Sequence, residues 1–346
     1  MISLSDAQWG EVHLSTIFKR ILRGKVSDLR NIGSGKNIII AAAGVNEGLS
    51  CFSDIKPRAK NAMTISFNGV GTGTAFVHNY PFNLNSDCGL VEPIEDLSIE
   101  TLHFIAVSIN KNKEKFNYGY KANENRLLRQ TIMLPIADDG KPDYDFMERY
   151  IKERELTKRV DYIEFAKTQL ARIERERVDS DAIEWRVFYL SDLFSIQRGK
   201  RLKNDDHKSG NTPYVSSSAT NNGIDDYISN VERVRIFNDC LTIANSGSVG
   251  STFYHPYHFV ASDHVTSLKQ AEMDKYCYLF IATLTSRLNE KYNFNREIND
   301  PRIRREKILL PVKNDEPYYV YMSNCVKSIF ADKYNEYLSY AQKISC

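Results

Sequence analysis

The glycine-rich stretch Asn68–Gly73, with the sequence NGVGTG, is the first candidate for chemistry in this chain. Glycines let a backbone approach a phosphate or a ribose closely, so the stretch could hold a nucleotide or a methyl donor. A related stretch, NSGSVG at Asn245–Gly250, keeps one aligned glycine, Gly73 with Gly250. A cofactor loop would need its other glycines too, so we predict no cofactor and turns that present small polar groups to a partner. A plain hairpin turn is the alternative.

No other group of residues has the pattern of a catalytic or metal site. His78 and His255 occupy corresponding places but lack a neighbouring Cys or acid, so we interpret them as hydrogen-bonded strand histidines. The sequence ADDGK at Ala137–Lys141 has Asp and Lys near nuclease spacing, yet those residues do not recur later in the chain. The six cysteines form no CxxC or Cys/His cluster of the kind that binds zinc. We therefore predict that the chain is not an enzyme by itself.

Basic residues, in contrast, cluster in four segments. Phe18–Gly35 has five Lys or Arg against one acid, and Leu193–Gly210 has five against two. Lys111–Gln130 has six against two, and Arg287–Lys307 has seven against four. The formal net charge of +2 over 346 residues is uninformative, but localised basic segments favour contact with phosphates. For any single segment, a solvated surface is the alternative.

The polar turns and basic segments together define a set of candidate DNA-contacting residues, in which Lys and Arg would hold the backbone and Asn, Ser and Thr would contact base edges. They are Arg23, Lys25, Asn46, Asn68, Thr72, Tyr118, Tyr120, Lys121, Arg126, Arg198, Lys200, Asn221, Asn222, Asn245, Ser246, Ser248, Arg296 and Arg302.

These candidates fall into two sets because the chain repeats itself. WGEVHLSTIF from Trp9 matches WRVFYLSDLF from Trp185, an offset of 185 − 9 = 176. The tripeptide Arg-Gly-Lys that begins at Arg23 occurs again at Arg198. The sequence RLLRQTIMLPI from Arg126 matches RIRREKILLPV from Arg302. So many matches in one order indicate a tandem duplication. Short apolar runs between Gly, Asn, Asp and Ser predict strand-rich copies, and the fold class is therefore α+β.

Each copy is followed by a helical pattern. The stretch Tyr144–Arg177 lacks Gly and Pro, and Leu156, Val160, Ile163, Ala166, Leu170 and Ile173 form an apolar stripe at helical spacing. Asp145 and Glu148 fit a capping box. The second pattern, Tyr318–Ile344, has its stripe at Met322, Val326, Ile329, Lys333, Tyr337, Ala341 and Ile344, with Lys333 as the polar exception. We predict that the two helices pair antiparallel.

The predicted organisation is a first domain at 1–143, a central spacer helix at 144–180, a second domain at 181–316 and a C-terminal spacer helix at 317–346. No run of eighteen apolar residues and no signal pattern is present, so we expect a cytoplasmic protein without membrane contact.

The doubled pattern resembles the specificity (S) subunit of restriction-modification systems. The matching residues are the Trp and Leu-Ser motifs at the start of each copy, the Arg-Gly-Lys motif, and the Leu-Pro motif before each helix. The resemblance implies two target-recognition domains, an antiparallel coiled coil, double-stranded DNA as ligand, and methyltransferase or combined methyltransferase-nuclease subunits as partners. The turn DDGKPDYDFM is more similar to subunits of type IIB systems, and type I or type II stays open. The alternative is a non-catalytic scaffold whose duplicated β domains bind protein or glycan.

Overall fold

The computed structural model describes residues 2–69, 71–117, 119–176 and 184–343, without the side chain of Glu176. The chain divides into two compact units, Met1–Tyr162 and Ile163–Cys346. The boundary lies within the long central helix.

In the first unit, most of the short strands precede the helix Ile99–Lys111 in the chain, and the last strand follows it. The strands are β1 (Trp9–His13), β2 (Phe18–Arg23), β3 (Asn37–Ile40), β4 (Leu49–Ser53), β5 (Ala62–Ser66), β6 (Ala75–His78), β7 (Phe82–Leu84), β8 (Cys88–Pro93) and β9 (Thr131–Pro135). The helices are α1 (Leu14–Ile17), α2 (Ile99–Lys111), α3 (Glu124–Leu128) and α4 (Tyr144–Glu176). One sheet has the order β2-β8-β5-β6, a second has the order β4-β3-β7 with β3 and β7 parallel, and β1 pairs with β9.

The second unit repeats this plan. Its strands are β10 (Glu184–Tyr189), β11 (Ser195–Arg198), β12 (Ser209–Val215), β13 (Ile224–Ile228), β14 (Ile236–Phe237), β15 (Cys240–Ala244), β16 (Thr252–His255), β17 (Phe259–Ala261), β18 (Val265–Lys269), β19 (Lys307–Lys313) and β20 (Glu316–Pro317). Its helices are α5 (Leu190–Leu193), α6 (Lys275–Thr285), α7 (Asp300–Arg304) and α8 (Tyr319–Lys343). The sheets are β11-β18-β15-β16, β13-β12-β17-β14 and β10-β19-β20, so the α+β tandem fold is confirmed.

The repeated sequence LSxxF forms the same turn of helix and strand in both units. In the first unit, Leu14 and Ile17 lie one helical turn apart in α1 and point into the core, and Phe18 follows them at the start of β2. Leu190, Leu193 and Phe194 fill the same places in the second core. Burying side chains of this size contributes roughly 1.5–3 kcal/mol each, so the motif anchors the sheet in each unit.

A glycine after this motif allows two loops to approach closely. A Cβ atom on Gly24 would lie 2.0 Å from the carbonyl oxygen of Asn85, and one on Gly199 would lie 2.1 Å from that of Ser262. The amide of Gly24 donates to the carbonyl of Cys88 at 2.9 Å, and the amide of Gly199 donates to that of Val265 at the same distance. Glycine at these two positions therefore sets the loop that follows β2 or β11 against the loop that precedes β8 or β18.

The central helix α4 begins at Tyr144 with Asp143 as its cap. The carboxylate of Asp143 accepts the amide of Phe146 at 2.9 Å. The predicted capping box at Asp145 and Glu148 is wrong, because the helix starts before Asp145 and Glu148 pairs with Lys152 one turn further on. Arg177, the predicted last residue, lies outside the described residues.

The apolar stripe of α4 is only partly buried. Leu156 and Val160 are 59% and 54% exposed, whereas Ala166 and Ile173 are buried in the second unit. The N-terminal part of the helix packs on the first core around Met147. The stripe is interrupted because each part of the helix turns a different face to its own unit.

Helix α8 buries part of the predicted stripe, because Met322, Val326 and Ala341 are buried. Ile329 is exposed, and Lys333 is exposed and pairs with Glu336 at 2.7 Å. Aromatic side chains form the contact instead, since Phe330 meets the ring of Tyr276 from α6 at 5.8 Å. The buried or partly buried positions of α8 in this cluster are Val326, Phe330, Ala331, Tyr334 and Leu338. The predicted end at Ile344 lies outside the described residues.

Candidate nucleic-acid interface

The arginine at the end of β2 and the arginine at the end of β11 each bind an equivalent loop in their own unit. A guanidinium N–H of Arg23 donates to the carbonyl of Ser86 at 2.7 Å, and that guanidinium lies 5.2 Å from the centre of the Phe67 ring. Arg198 donates through Nε to the carbonyl of Asp263. Both carbonyls belong to the loop before β8 or β18. The two arginines therefore place a cationic group at equivalent positions, next to the close glycine contacts.

A second pair of arginines packs against the first. Nη1 of Arg58 donates to the carbonyl of Arg23 at 3.0 Å, and Nη1 of Arg235 donates to that of Arg198 at 2.5 Å. Neither residue was among the sequence candidates, although their separation of 235 − 58 = 177 agrees with the repeat. Lys25 and Lys200, each following the glycine, are exposed. Each unit thus gathers two arginines and one lysine at one place, which makes a locally positive surface.

The turn after β5 and the turn after β15 bring a second candidate group to this loop. The side-chain amide of Asn68 donates to the Asp87 carboxylate at 2.7 Å. The hydroxyl of Ser246 and Nδ1 of His264 are hydrogen-bonded at 2.5 Å. Asp87 and His264, which lie directly before β8 and β18, were not predicted from the sequence.

The backbone shows that Asn68 corresponds to Ser246. The amide of Phe67 donates to the carbonyl of Asp87 at 2.7 Å, and the amide of Asn245 donates to that of His264 at 2.8 Å. The sequence alignment of Asn68 with Asn245 is therefore wrong by one residue. The reason is that the first turn is one residue longer, although both turns end at a left-handed glycine, Gly73 or Gly250.

Some predicted residues of these turns are buried. Thr72 uses its hydroxyl inside the turn, where it donates to the carbonyl of Phe67 and accepts the amide of Ala122, both at 3.1 Å. Asn245 is 1% exposed, and its side-chain amide has no hydrogen-bond partner among the described residues. Ser248 is half-buried, with its amide bonded to the carbonyl of Ser217 at 3.1 Å. We exclude Thr72 and Asn245 from the direct contact surface.

The asparagine turns Asn46–Gly48 and Asn221–Gly223 form exposed tips in both units. Asn46 and Glu47 in one, and Asn221 and Asn222 in the other, have left-handed backbones with φ between 49° and 53°. Asparagine tolerates this conformation better than most residues, which explains its repetition here. The tips are polar and exposed, so they can contact a partner.

The basic segment before β9 is built on a small turn and the short helix α3. The guanidinium of Arg126 lies 4.1 Å from the Tyr120 ring and donates to the carbonyl of Lys121 at 2.6 Å. In the second unit, Arg302 donates to the carbonyl of Glu297, and Arg296 lies 5.3 Å from the Tyr292 ring. Tyr118, another predicted residue, lies outside the described residues.

This segment meets the arginine loop in the first unit. Arg23, Phe67 and residues 123–125 line one shallow hollow of about 280 Å³. Glu124 contributes an acid there, and its carboxylate accepts the amide of Ile21 at 3.1 Å. In the second unit, Arg304 of α7 donates to the carbonyl of Ile196 on β11 at 3.3 Å. The structure thus places the arginine loop beside the basic segment in the first unit, and α7 beside β11 in the second.

The strand histidines belong to the cores. Nε2 of His78 is hydrogen-bonded to the Thr64 hydroxyl at 2.8 Å, and Nε2 of His255 to the Thr242 hydroxyl at 2.9 Å. Burial lowers the pKa of both imidazoles to about 4, so they are neutral at physiological pH. Their interpretation as hydrogen-bonded strand residues is confirmed.

Two further properties bear on the site. Among the described residues, no group of three or more His, Cys, Asp or Glu side chains is arranged to hold a metal ion. Helices long and apolar enough to cross a membrane are likewise absent from the described part of the chain.

Comparisons with known proteins agree with the repeat. The sequence model of the type I restriction modification DNA specificity domain matches residues 7–162 and again residues 182–330. The chain is 31% identical over 259 residues to the type II restriction enzyme specificity subunit S.BcgI of Heyndrickxia coagulans, which covers 73% of this chain and 74% of that protein.

Two solved structures are also similar to the chain. The type I S subunit of M. genitalium shares 13% identity with a TM-score of 0.46, covering 99% of this chain and 96% of that one. The HsdS subunit of Thermoanaerobacter tengcongensis shares 11% identity with a TM-score of 0.33, covering 98% and 92%.

The matches to the family and to S.BcgI identify a specificity component, which is the non-catalytic part of a restriction-modification complex. The chain therefore belongs to the family of DNA specificity subunits of restriction-modification systems.

Proposed function

We propose that the chain binds a bipartite DNA site, with one half read by each unit, and directs methyltransferase subunits to it. The observation that carries the proposal is the repeated arrangement of Arg23 with Arg58 and of Arg198 with Arg235. The guanidinium groups lie at equivalent loops, where they can neutralise phosphates beside each half-site. Because the polar turns differ between the units, the two half-sites have different sequences.

The proposal extends to the domain limits and the partner. The target-recognition domains span 1–143 and 181–316, and the helices at 144–180 and 317–346 form an antiparallel spacer that sets the distance between half-sites. The spacer also seats the partner, which is a methyltransferase or a combined methyltransferase-nuclease subunit, and the complex acts in the cytoplasm. The family has a type I name and S.BcgI belongs to a type II enzyme, so both system classes are compatible with this role.

The salt dependence of DNA binding tests the electrostatic part of the proposal. We expect Arg23→Ala and Arg198→Ala in the full-length chain each to weaken binding to specific and unrelated duplexes alike. Each should lower the slope of log affinity against log salt by roughly one, because one phosphate contact is lost. Fluorescence anisotropy between about 50 and 200 mM salt, a range over which phosphate contacts lose much of their affinity, measures this slope.

Arg20→Ala is the matched control. Arg20 lies on the same strand as Arg23 but pairs with Glu92 at 2.6 Å, so its removal should leave the slope unchanged. Wild-type binding that does not respond to salt, or an absence of binding to any duplex, would favour the scaffold alternative. A loss confined to one base identity would make the arginine a base-reading residue.

A further inference from the structure

We infer that two side-chain pairs, Asn68 with Asp87 and Ser246 with His264, determine which base is accepted at one place in each half-site. The inference rests on the proposed function, since it assigns the base-reading contact within the same interface. Three features carry it: the pairs occupy equivalent positions, they adjoin the arginines, and they differ in hydrogen-bonding chemistry.

The equivalence comes from the backbone. Each pair joins the second residue after β5 or β15 to the residue directly before β8 or β18. The two backbone bonds from Phe67 to Asp87 and from Asn245 to His264 fix the same register in both units. A different pair of side chains is thus displayed on one common backbone arrangement, as expected for a position that varies with the target.

The arginines place these pairs beside the predicted phosphate contacts. Arg23 is bonded to the carbonyl of Ser86, the residue before Asp87. Arg198 is bonded to the carbonyl of Asp263, the residue before His264. A guanidinium that contacts a phosphate would therefore bring the neighbouring pair towards the groove. Phosphate contacts position a protein on DNA, and the adjoining polar groups can then read the base edges.

In the first unit the pair presents acceptors. The Asp87 carboxylate is partly exposed, and one of its oxygens accepts from Asn68. The side-chain oxygen of Asn68 is buried and has no hydrogen-bond partner among the described residues, so the acceptor available to a base is the carboxylate of Asp87. A carboxylate near the DNA phosphates is repelled by their negative charge unless it accepts a hydrogen bond. This pair therefore favours a base whose amino group can donate one. In the major groove those groups are N4 of cytosine and N6 of adenine.

In the second unit the pair presents a donor. Ser246 is buried, and its hydroxyl is hydrogen-bonded to Nδ1 of His264. When the hydroxyl donates in this bond, Nδ1 is the acceptor and Nε2 carries a ring proton. Nε2 lies 4.0 Å from the Asp263 carboxylate, beyond hydrogen-bond distance, so the half-exposed imidazole can offer this proton to a base. Major-groove acceptors for this donor are N7 and O6 of guanine, N7 of adenine and O4 of thymine, and guanine alone offers two of them. The two units therefore select bases of opposite hydrogen-bonding character.

Exchange of the pairs between the units tests the inference. We propose the double variant Asn68→Ser with Asp87→His, and separately Ser246→Asn with His264→Asp. Each is produced as the full-length chain together with its methyltransferase, and the methylated sites are mapped by long-read sequencing. The first variant should change the preferred base in the first half-site from one that offers an amino group to guanine. The preference should shift by roughly tenfold or more, and the second half-site should stay the same. The reciprocal variant should do the converse.

The control is a pair of residues that face each other on two paired strands and whose amino-acid types differ between the units. His13 faces Thr131 in β1 and β9, and Tyr189 faces Lys307 in β10 and β19. Exchanging them with His13→Tyr and Thr131→Lys should leave both half-sites unchanged.

The outcomes separate the inference from the proposed function. Pair variants that methylate as efficiently as the wild type at unchanged sequences would overturn the inference and leave the proposed function intact. A change caused equally by the control exchange would also overturn it. Wild-type methylation that does not depend on the chain would instead contradict the proposed function.

Discussion

The Gly24→Ala variant is expected to lose a large part of the stability of its first unit and to weaken recognition of the first half-site. The added Cβ would lie 2.0 Å from the carbonyl oxygen of Asn85, where the backbone has no room to yield. Overpacking against a backbone costs about 3 kcal/mol, a large part of the stability of a domain. The same reasoning applies to Gly199→Ala in the second unit, where the corresponding distance is 2.1 Å.

The chain allows the two effects to be measured separately. Its two tryptophans, Trp9 and Trp185, lie one in each unit. Urea unfolding of variants that keep a single tryptophan, the other replaced by Phe, should show the shift for Gly24→Ala only with Trp9 and for Gly199→Ala only with Trp185. Gly119→Ala is the control, because its Cβ would have a nearest contact of 3.5 Å. Equal stability of Gly24→Ala and Gly119→Ala would contradict the role given to the close loop contact.

Lengthening the two long helices together is expected to widen the gap between half-sites. We would duplicate Leu156–Tyr162 in α4 and the corresponding Tyr337–Lys343 in α8. Seven residues add ~10 Å of helix and change the facing by only about 20°, so packing is largely retained. This length equals roughly three base-pair steps, and the gap should grow by that amount. Both half-site sequences should stay the same, and mapping of methylated sites measures the change.

The control inserts seven residues into the turn Asp138–Lys141, where Gly140 has open space around it. That insertion lengthens a loop and should leave the gap unchanged. An unaltered gap in a folded and active double insertion would show that the helices do not set the spacing.

Much of the architecture could be predicted because each sequence pattern occurs twice in the chain. Short apolar runs were predicted to form strands, and the structure has such strands at Cys240–Ala244 and Thr252–His255. The aligned His78 and His255 were interpreted as hydrogen-bonded strand residues, and both are buried and hydrogen-bonded to a threonine. A sequence pattern that recurs after a fixed interval indicates that the two units have the same core, because equivalent side chains pack together in each.

The parts that were mispredicted depend on tertiary contacts. In α8 the predicted Ile329 is exposed, and Phe330 beside it packs against Tyr276, a contact that helical periodicity does not reveal. The true partner of Asn68 is Ser246, since the turns differ in length by one residue and only the backbone bonds define the register. Arg58 and Arg235 were overlooked because they lie outside the basic segments, and only their contacts with Arg23 and Arg198 draw attention to them.

The most direct test of the account is a map of methylated bases in cells that make the methyltransferase with and without this chain. The account predicts methylation at one bipartite sequence, with two unequal halves and a fixed gap, only when the chain is present. Methylation at the same sites without the chain, or at a single uninterrupted sequence, would contradict it.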